Sequence, residues 1–361
     1  MTKNLEENLN KVVKNQKDLW KPNESDAMNT RRVIGGTTTN IMDLTKIKYK
    51  WAKDSCKYQL DNFWVPDKIN LQKDILDYKS LTVLEQKVFC NVLSSLSFLD
   101  GLQTGNLNNI SSYITAPEIK AALQIQNFFE VIHNLSYSQI LNTILPLEDL
   151  ENSLYIWKKE THLYNRNEFL IKNLTLQENA TKKDLLRQMI SNYALESLSF
   201  TAGFFFLYEL KVMKGLMKGS TAMIRLIHRD ELSHCNLFKD IIIHYVQEEG
   251  LENELKNELD KIIPKLVDLQ KEWVNVILEN NFFVSLNKQN LGSHFEYLAS
   301  LLYSNLGHKY EKETLKTPLK YLQCASDLEE VASLRSSFFD KVNTSYNLST
   351  ALEGLNQSFF D

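Results

Sequence analysis

Between Phe128 and Tyr137 the chain reads Phe-Phe-Glu-Val-Ile-His-Asn-Leu-Ser-Tyr, and no other stretch limits its possible folds so strongly. At about 100° per residue of α-helix, Glu130 and His133 lie roughly 60° apart, and Tyr137 returns to within about 20° of Glu130 two turns on. A carboxylate, an imidazole and a phenol therefore share one stripe of a helix that is otherwise apolar. Burying such groups is costly unless something compensates them. The helix must either face water or deliver all three to a partner inside the core. Composition agrees with long helices. There are 11 glycines and 6 prolines among 361 residues, well under the roughly 12% of average usage, and Leu, Lys and Glu are abundant.

Read in order, residues 1–45 lack sustained periodicity and contain Gly35-Gly36, which predicts an arm, partly disordered, lying over the body. A helix is expected over Ile47–Trp64, stopped at Val65-Pro66. Thr82-Val83-Leu84-Glu85 is a capping box, opening a helix whose stripe runs Phe89, Val92, Leu93, Leu96, Leu99 and includes Asp100. Thr115-Ala116-Pro117-Glu118 is a second start signal for the helix carrying Glu130, His133 and Tyr137, which runs to about Leu145-Pro146. One or two helices fill Leu150–Lys172. Thr181 begins another through Tyr193, Glu196, Phe200 and Phe204, ending near Gly215 or Gly219. Ser220 is expected to cap a helix to about Val246, with Gly250 past its end. Glu252–Glu279 is helical with a kink at Pro264, and shorter helices are expected at 293–305 and 325–340. The fold class is all-α: one helical domain over 46–340, with loose ends at 1–45 and 341–361.

The bulk properties exclude several classes. A net charge of −4 and a pI near 6.0 argue against a nucleic-acid-binding surface. Cys56, Cys90, Cys235 and Cys324 are scattered without a CxxC pair, which reads as reduced thiols rather than a disulfide framework. The first 21 residues have no apolar core of a signal peptide, and Phe200–Leu210, the most apolar run, is too short to span a bilayer. The expectation is a cytoplasmic protein without membrane segments.

The stripe at 130–133 recurs once, as Glu231-Leu232-Ser233-His234; of the seven histidines, only His133 and His234 have a glutamate three residues earlier. Alone, Glu130 and His133 read equally well as a buried ion pair. The added weight comes from two isolated acids. Asp100 precedes the first Glu-x-x-His by 30 residues and Glu196 precedes the second by 35, each about the span of an antiparallel helix hairpin. Two similar halves, each giving one carboxylate and then Glu-x-x-His, match the ligand set of ferritin-like dimetal carboxylate bundles. Four carboxylates bring −4 into a core and two divalent ions bring +4. Oxygen donors with one imidazole per ion and no thiolate suit iron or manganese. The halves differ one turn past the histidines, where Tyr137 stands in the first and Phe238 in the second. Phe200, Phe204 and Ile227 are the expected apolar wall around that single oxidisable phenol.

The set Asp100, Glu130-x-x-His133-x-x-x-Tyr137, Glu196 and Arg229-Asp230-Glu231-x-x-His234 resembles the small, radical-generating subunit of class I ribonucleotide reductase, over roughly residues 47–310. The resemblance implies a ferritin-like bundle with Asp100, Glu130 and His133 on one metal and Glu196, Glu231 and His234 on the other, glutamates bridging. It implies two iron or two manganese ions, or a mixed pair, with a flavoprotein activator as a possible partner. Tyr137 would hold the stable radical, and Trp64, Asp230 and His133 would carry electrons and protons from the surface. The tail 341–361 would dock on the large catalytic subunit through Phe359-Phe360-Asp361 and offer Tyr346 as relay. A homodimer is expected on the same ground. Read blandly, Tyr137 is a core tyrosine and Trp64 a packing residue. The competing functions are a ferritin-like oxidase or hydroxylase with its own substrate cavity, and metal storage; Tyr137, Trp64 and the tail favour the reductase subunit over both.

Overall fold

The computed structural model describes residues 14, 18–146, 150, 153, 155–278, 283, 286–312 and 316–319. Its helices are α1 (Lys50–Asp61), α2 (Gln72–Ser80), α3 (Val83–Ser111), α4 (Pro117–Ile144), α5 (Thr161–Leu174), α6 (Lys182–Ala194), α7 (Thr201–Lys214), α8 (Lys218–Glu249), α9 (Glu252–Ile277) and α10 (Lys288–Asn305). Short 3-10 turns stand at Pro66–Lys68 and Ile156–Lys158. Among the described residues the only bridge between extended segments pairs Ile34 with Ile114. The expected helix at 325–340, Tyr346 and Phe359–Asp361 lie outside the described residues.

Two antiparallel hairpins make the ferritin-like core: α3 with α4, and α6–α7 with α8. The capping box forms as expected, with Glu85 N donating to Thr82 Oγ1 and Thr82 N to Glu85 Oε2 at 2.9 Å. The apolar stripe of α3 is buried from Phe89 to Leu99. Where α7 crosses α3, a Cβ on Gly203 would sit 2.9 Å from a Leu96 methyl, so any larger residue would have to displace the Leu96 side chain.

Two local expectations are corrected. Ser220 is not the cap of α8, which starts at Lys218. Its first amides are taken instead by acids of α2: Asp74 accepts from Gly219 N at 3.1 Å and Ser220 N at 2.6 Å, and Asp77 from Met217 N at 2.9 Å. A carboxylate at a helix N-terminus is doubly favoured, by hydrogen bonds and by the helix dipole. Second, the helix from Lys182 to Lys214 is not continuous α-helix, because Leu195–Ser199 forms a π turn between α6 and α7. The start signal at Thr115–Glu118 holds, with Pro117 in the first turn of α4, while the Thr115 hydroxyl donates to Arg32 O at 2.8 Å. Pro264 lies inside α9 as expected.

The segment ahead of α1 is fastened to the bundle. Arg31 is buried with Nη1 3.1 Å from Glu118 Oε2, and Glu118 Oε1 accepts the amides of Lys48 and Tyr49 at 2.8 and 3.0 Å. Among the described residues, Cys56, Cys90 and Cys235 form no disulfide. No helix among the described residues is long and apolar enough to cross a membrane.

Candidate metal centre

All six residues singled out by spacing meet in the middle of the bundle. Asp100 comes from α3, Glu130 and His133 from α4, Glu196 from the π turn, and Glu231 and His234 from α8. They form two overlapping sets, Asp100–Glu130–His133–Glu231 and Glu130–Glu196–Glu231–His234, the offered donor atoms of each lying within 4.8 Å of one another. Glu130 and Glu231 belong to both. All six are buried, the most exposed being Glu196 at 3%.

The donors face each other and, apart from the hydrogen bond between His234 Nδ1 and Glu231 Oε2, leave each other unsatisfied. Both oxygens of Asp100, Glu130 Oε2, Glu196 Oε2, Glu231 Oε1, His133 Nδ1 and His234 Nε2 have no hydrogen-bond partner. His133 Nδ1 stands 3.1 Å from Glu231 Oε1 and 3.6 Å from both Asp100 Oδ1 and Glu130 Oε2, close but not aligned for hydrogen bonding. His234 Nδ1 is 2.8 Å from Glu231 Oε2 and 3.2 Å from Glu130 Oε1. Buried polar atoms are nearly always paired in native proteins. A cluster of unpaired carboxylate oxygens, with one imidazole nitrogen turned toward each donor set, fits two hard divalent cations.

Electrostatics give the same account. Burial pushes the Asp100 carboxyl well above its ordinary range, and the charges of Glu231 and Glu130 add to it. Glu196 is raised by burial and by the charges of Glu130 and Glu231. Burial works against protonation of His234, but Glu130 and Glu231 more than offset it and lift its pKa to about 9. His133 is raised in the same way, chiefly by Glu231. Left to itself, the crowded cluster raises the proton affinity of both imidazoles and of Asp100 and Glu196. Cations that bind here replace protons on these groups, so binding releases them.

The two halves differ in their surroundings. Glu196 Oε1 accepts from Gln103 Nε2 and, at 3.0 Å, from Gln126 Nε2, which also reaches Glu130 Oε1 at 3.2 Å. Behind Gln103 stand more buried amides: Asn106 Nδ2 donates to Gln103 Oε1 at 2.9 Å and Asn192 Oδ1 at 2.5 Å, and Gln188 Nε2 to Asn106 Oδ1 at 2.9 Å. Asp100 has no such donors. Sequence reading missed these amides, although a signal was present. Gln103 is three residues after Asp100 and Gln126 four before Glu130, on the ligand stripes, while the matching positions of the other half are Ser199 and Ile227.

Tyr137 is fully buried on the Asp100 side, in one core with Phe200, Phe204 and Ile227. Its hydroxyl makes no hydrogen bond of normal geometry. Burial first, then the charge of Asp100, holds its proton far more tightly than usual. Trp64 and Asp230 also fall into place: Trp64 Nε1 donates to Asp230 Oδ2 at 2.7 Å, and the same oxygen is 3.3 Å from His133 Nε2. Arg229 takes Asp230 Oδ1 at 2.7 Å and the Asn62 carbonyl at 2.8 Å, locking the aspartate in line. A cleft of about 510 Å³ adjoins Glu196 and Glu231 and is lined by His228, His294, Cys235 and Tyr297 among others. His228 and His294 share this cleft with Phe204 and Phe205 of the apolar run.

Comparison with known proteins agrees with this geometry. The family model described as "Ribonucleotide reductase, small chain" matches residues 41–314. A ribonucleoside-diphosphate reductase subunit beta from Treponema pallidum is 35% identical over 329 residues, covering 90% of this chain and 93% of that protein. One from Halalkalibacterium halodurans is 29% identical over 331 residues, covering 90% and 94%. The solved ribonucleotide reductase R2 subunit from Clostridium botulinum superposes with a TM-score of 0.81 at 31% identity, over 88% of this chain and 100% of that one. By sequence along most of its length and by fold, this chain belongs to the ribonucleotide reductase small-chain family.

Proposed function

We propose that the chain is the radical-generating subunit of a class I ribonucleotide reductase. Asp100, Glu130, His133 and Glu231 would hold one iron or manganese ion and Glu130, Glu196, Glu231 and His234 the other, with Tyr137 carrying the radical. The observation that carries this reading is the pair of donor sets sharing Glu130 and Glu231, with a fully buried phenol on one side only. Bound there, and supplied with an oxygen-derived oxidant, the metal pair provides one-electron oxidation of a neighbouring phenol.

The protein's share of the work is placement and proton handling. Tyr137 can lose an electron only if its proton leaves as well. Asp100 is the acceptor placed for it, being the cradle carboxylate whose charge bears most on the phenol and whose two oxygens make no hydrogen bond. The full burial of Tyr137 then keeps water and reductants away from the neutral phenoxyl. Trp64 would pass an electron inward while its indole proton stays shared with Asp230 Oδ2, and His133, facing that oxygen through Nε2, links the path to the cradle through Nδ1.

The organisation that goes with this reading is an arm at 1–45, a dimetal body at 46–340 and a docking tail at 341–361. Tyr346 would be the relay, Phe359–Asp361 the anchor on the large catalytic subunit, and the substrates ribonucleoside diphosphates. A second copy of the chain would cover the outer stripe of α4, where Phe128, Val131 and Leu135 are exposed at helical spacing. The test is turnover of the metal-loaded chain with its large subunit. Deleting 342–361 is expected to leave the radical intact and abolish nucleotide reduction; unchanged turnover would refute the tail assignment.

A further inference from the structure

The π turn that carries Glu196 has a support on the side away from the carboxylates. One extra residue in a helical turn takes the backbone out of its i→i+4 register, so a carbonyl there must find a donor elsewhere or go unpaired. Leu198, inside that turn, has one from another helix: Gln270 Nε2 of α9 donates to Leu198 O at 2.8 Å. Gln270 Oε1 accepts from Arg166 Nη1 of α5 at 3.2 Å. The amide cannot be turned around, since a flipped group would set NH2 against the guanidinium and oxygen against the carbonyl.

Arg166 is fully buried among neutral partners. Its Nη2 donates to Ser95 Oγ of α3 at 2.8 Å and to Asn167 Oδ1 at 2.8 Å, its Nε to the same Asn167 oxygen at 3.1 Å, and it lies 5.1 Å from the Trp273 ring centre. Ser95, Asn167, Gln270 and Trp273 are also fully buried. A buried cation without a hydrogen-bonded carboxylate is an expensive way to fill space, which an apolar side chain would do at lower desolvation cost. The arrangement makes sense as a brace. It runs from α3, five residues before Asp100, through α5 and α9 to the turn two residues past Glu196, and uses none of the six cradle side chains.

We propose that Arg166 and Gln270 are positioning residues: they hold the π turn in its register and so fix where the Glu196 carboxylate stands for the second ion. This rests on reading the cradle as a two-ion site. The test combines hydrogen exchange of the segment 195–201 in the full-length, metal-free chain with Mn(II) titration followed by EPR of the free ion. Gln270→Glu keeps an acceptor for Arg166, now as an ion pair, but removes the donor to Leu198. Gln270→Leu removes both at similar volume.

In both variants, exchange of 195–201 is expected to rise at least about tenfold, and the second Mn(II) to bind at least about tenfold more weakly. The first ion should stay within about twofold of wild type on the same scale. If Gln270→Glu exchanges and binds like wild type, the brace serves stability alone and the proposal is overturned; Gln270→Leu decides in the same way should the first variant not fold. A wild-type chain that binds fewer than two ions would instead sink the reading of the cradle, and the exchange comparison would still decide the brace.

Discussion

Gln126→Leu tests the inequality of the two half-sites. The side-chain amide of Gln126 spans the cradle, giving a hydrogen to Glu130 Oε1 at 3.2 Å and to Glu196 Oε1 at 3.0 Å. Leucine has nearly the same volume, so the change removes donors without opening a cavity. A hydrogen bond to a charged acceptor contributes about 1.5–3 kcal/mol, and here it favours the ionised carboxylate that a cation needs. Glu196 belongs to one donor set only and keeps Gln103, so the loss should fall chiefly on the second ion: about 10- to 100-fold weaker, in line with outer contacts of metal ligands. In the metal-free chain Glu196 is pushed toward its neutral form by burial and by Glu130 and Glu231. The melting temperature without metal should therefore move little. Competition titration with Mn(II) gives the two affinities separately. Equal weakening of both ions, or a change under about threefold, would show that the amides do not set the asymmetry.

Two further outcomes follow from the geometry. Asp230→Asn should leave the amount of Tyr137 radical per metal pair nearly unchanged while lowering turnover with the large subunit by about 100-fold or more, because the uncharged amide has one acceptor oxygen where the carboxylate uses two, one for Arg229 and one for Trp64 and His133; spin counting beside turnover separates the two. His294 is held neutral, its pKa driven down to about 3 by burial and then by its neighbour His228, whereas the unfolded chain titrates near 6.5. The unfolded state thus binds the extra proton first, and stability is lost as pH falls from about 6.5 toward 3, reaching about 3 kcal/mol near pH 4. His294→Gln should flatten the fall of melting temperature over that range; an unchanged slope would refute this assignment.

The parts of this protein that are legible in its sequence are those with helical periodicity. The capping box at Thr82, the stripe from Phe89 to Leu99 and the two Glu-x-x-His turns carry their geometry in the spacing of neighbouring residues, and the structure brings all six candidate residues together. What sequence reading misses depends on contacts between distant segments. The acids that cap α8 come from α2, some 140 residues earlier. Arg31 reads as one more charge in an aperiodic arm, and only the approach of Glu118 explains its burial. The π turn leaves no mark because Leu195–Ser199 contains no glycine or proline, and its register depends on packing and on Gln270. The amides around Glu196 were within reach, since Gln103 and Gln126 fall on the ligand stripes; carboxylates and imidazoles drew the reading away from them.

The most direct measurement is the EPR spectrum of the metal-loaded chain after oxidation, with Fe(II) and oxygen or with Mn(II) and an activating flavoprotein, compared with Tyr137→Phe at equal metal content. The account predicts a phenoxyl signal in the wild-type chain that disappears in Tyr137→Phe while two ions per chain remain bound. The same signal persisting in Tyr137→Phe, or a fully loaded wild-type chain that gives no phenoxyl with either metal, would contradict it.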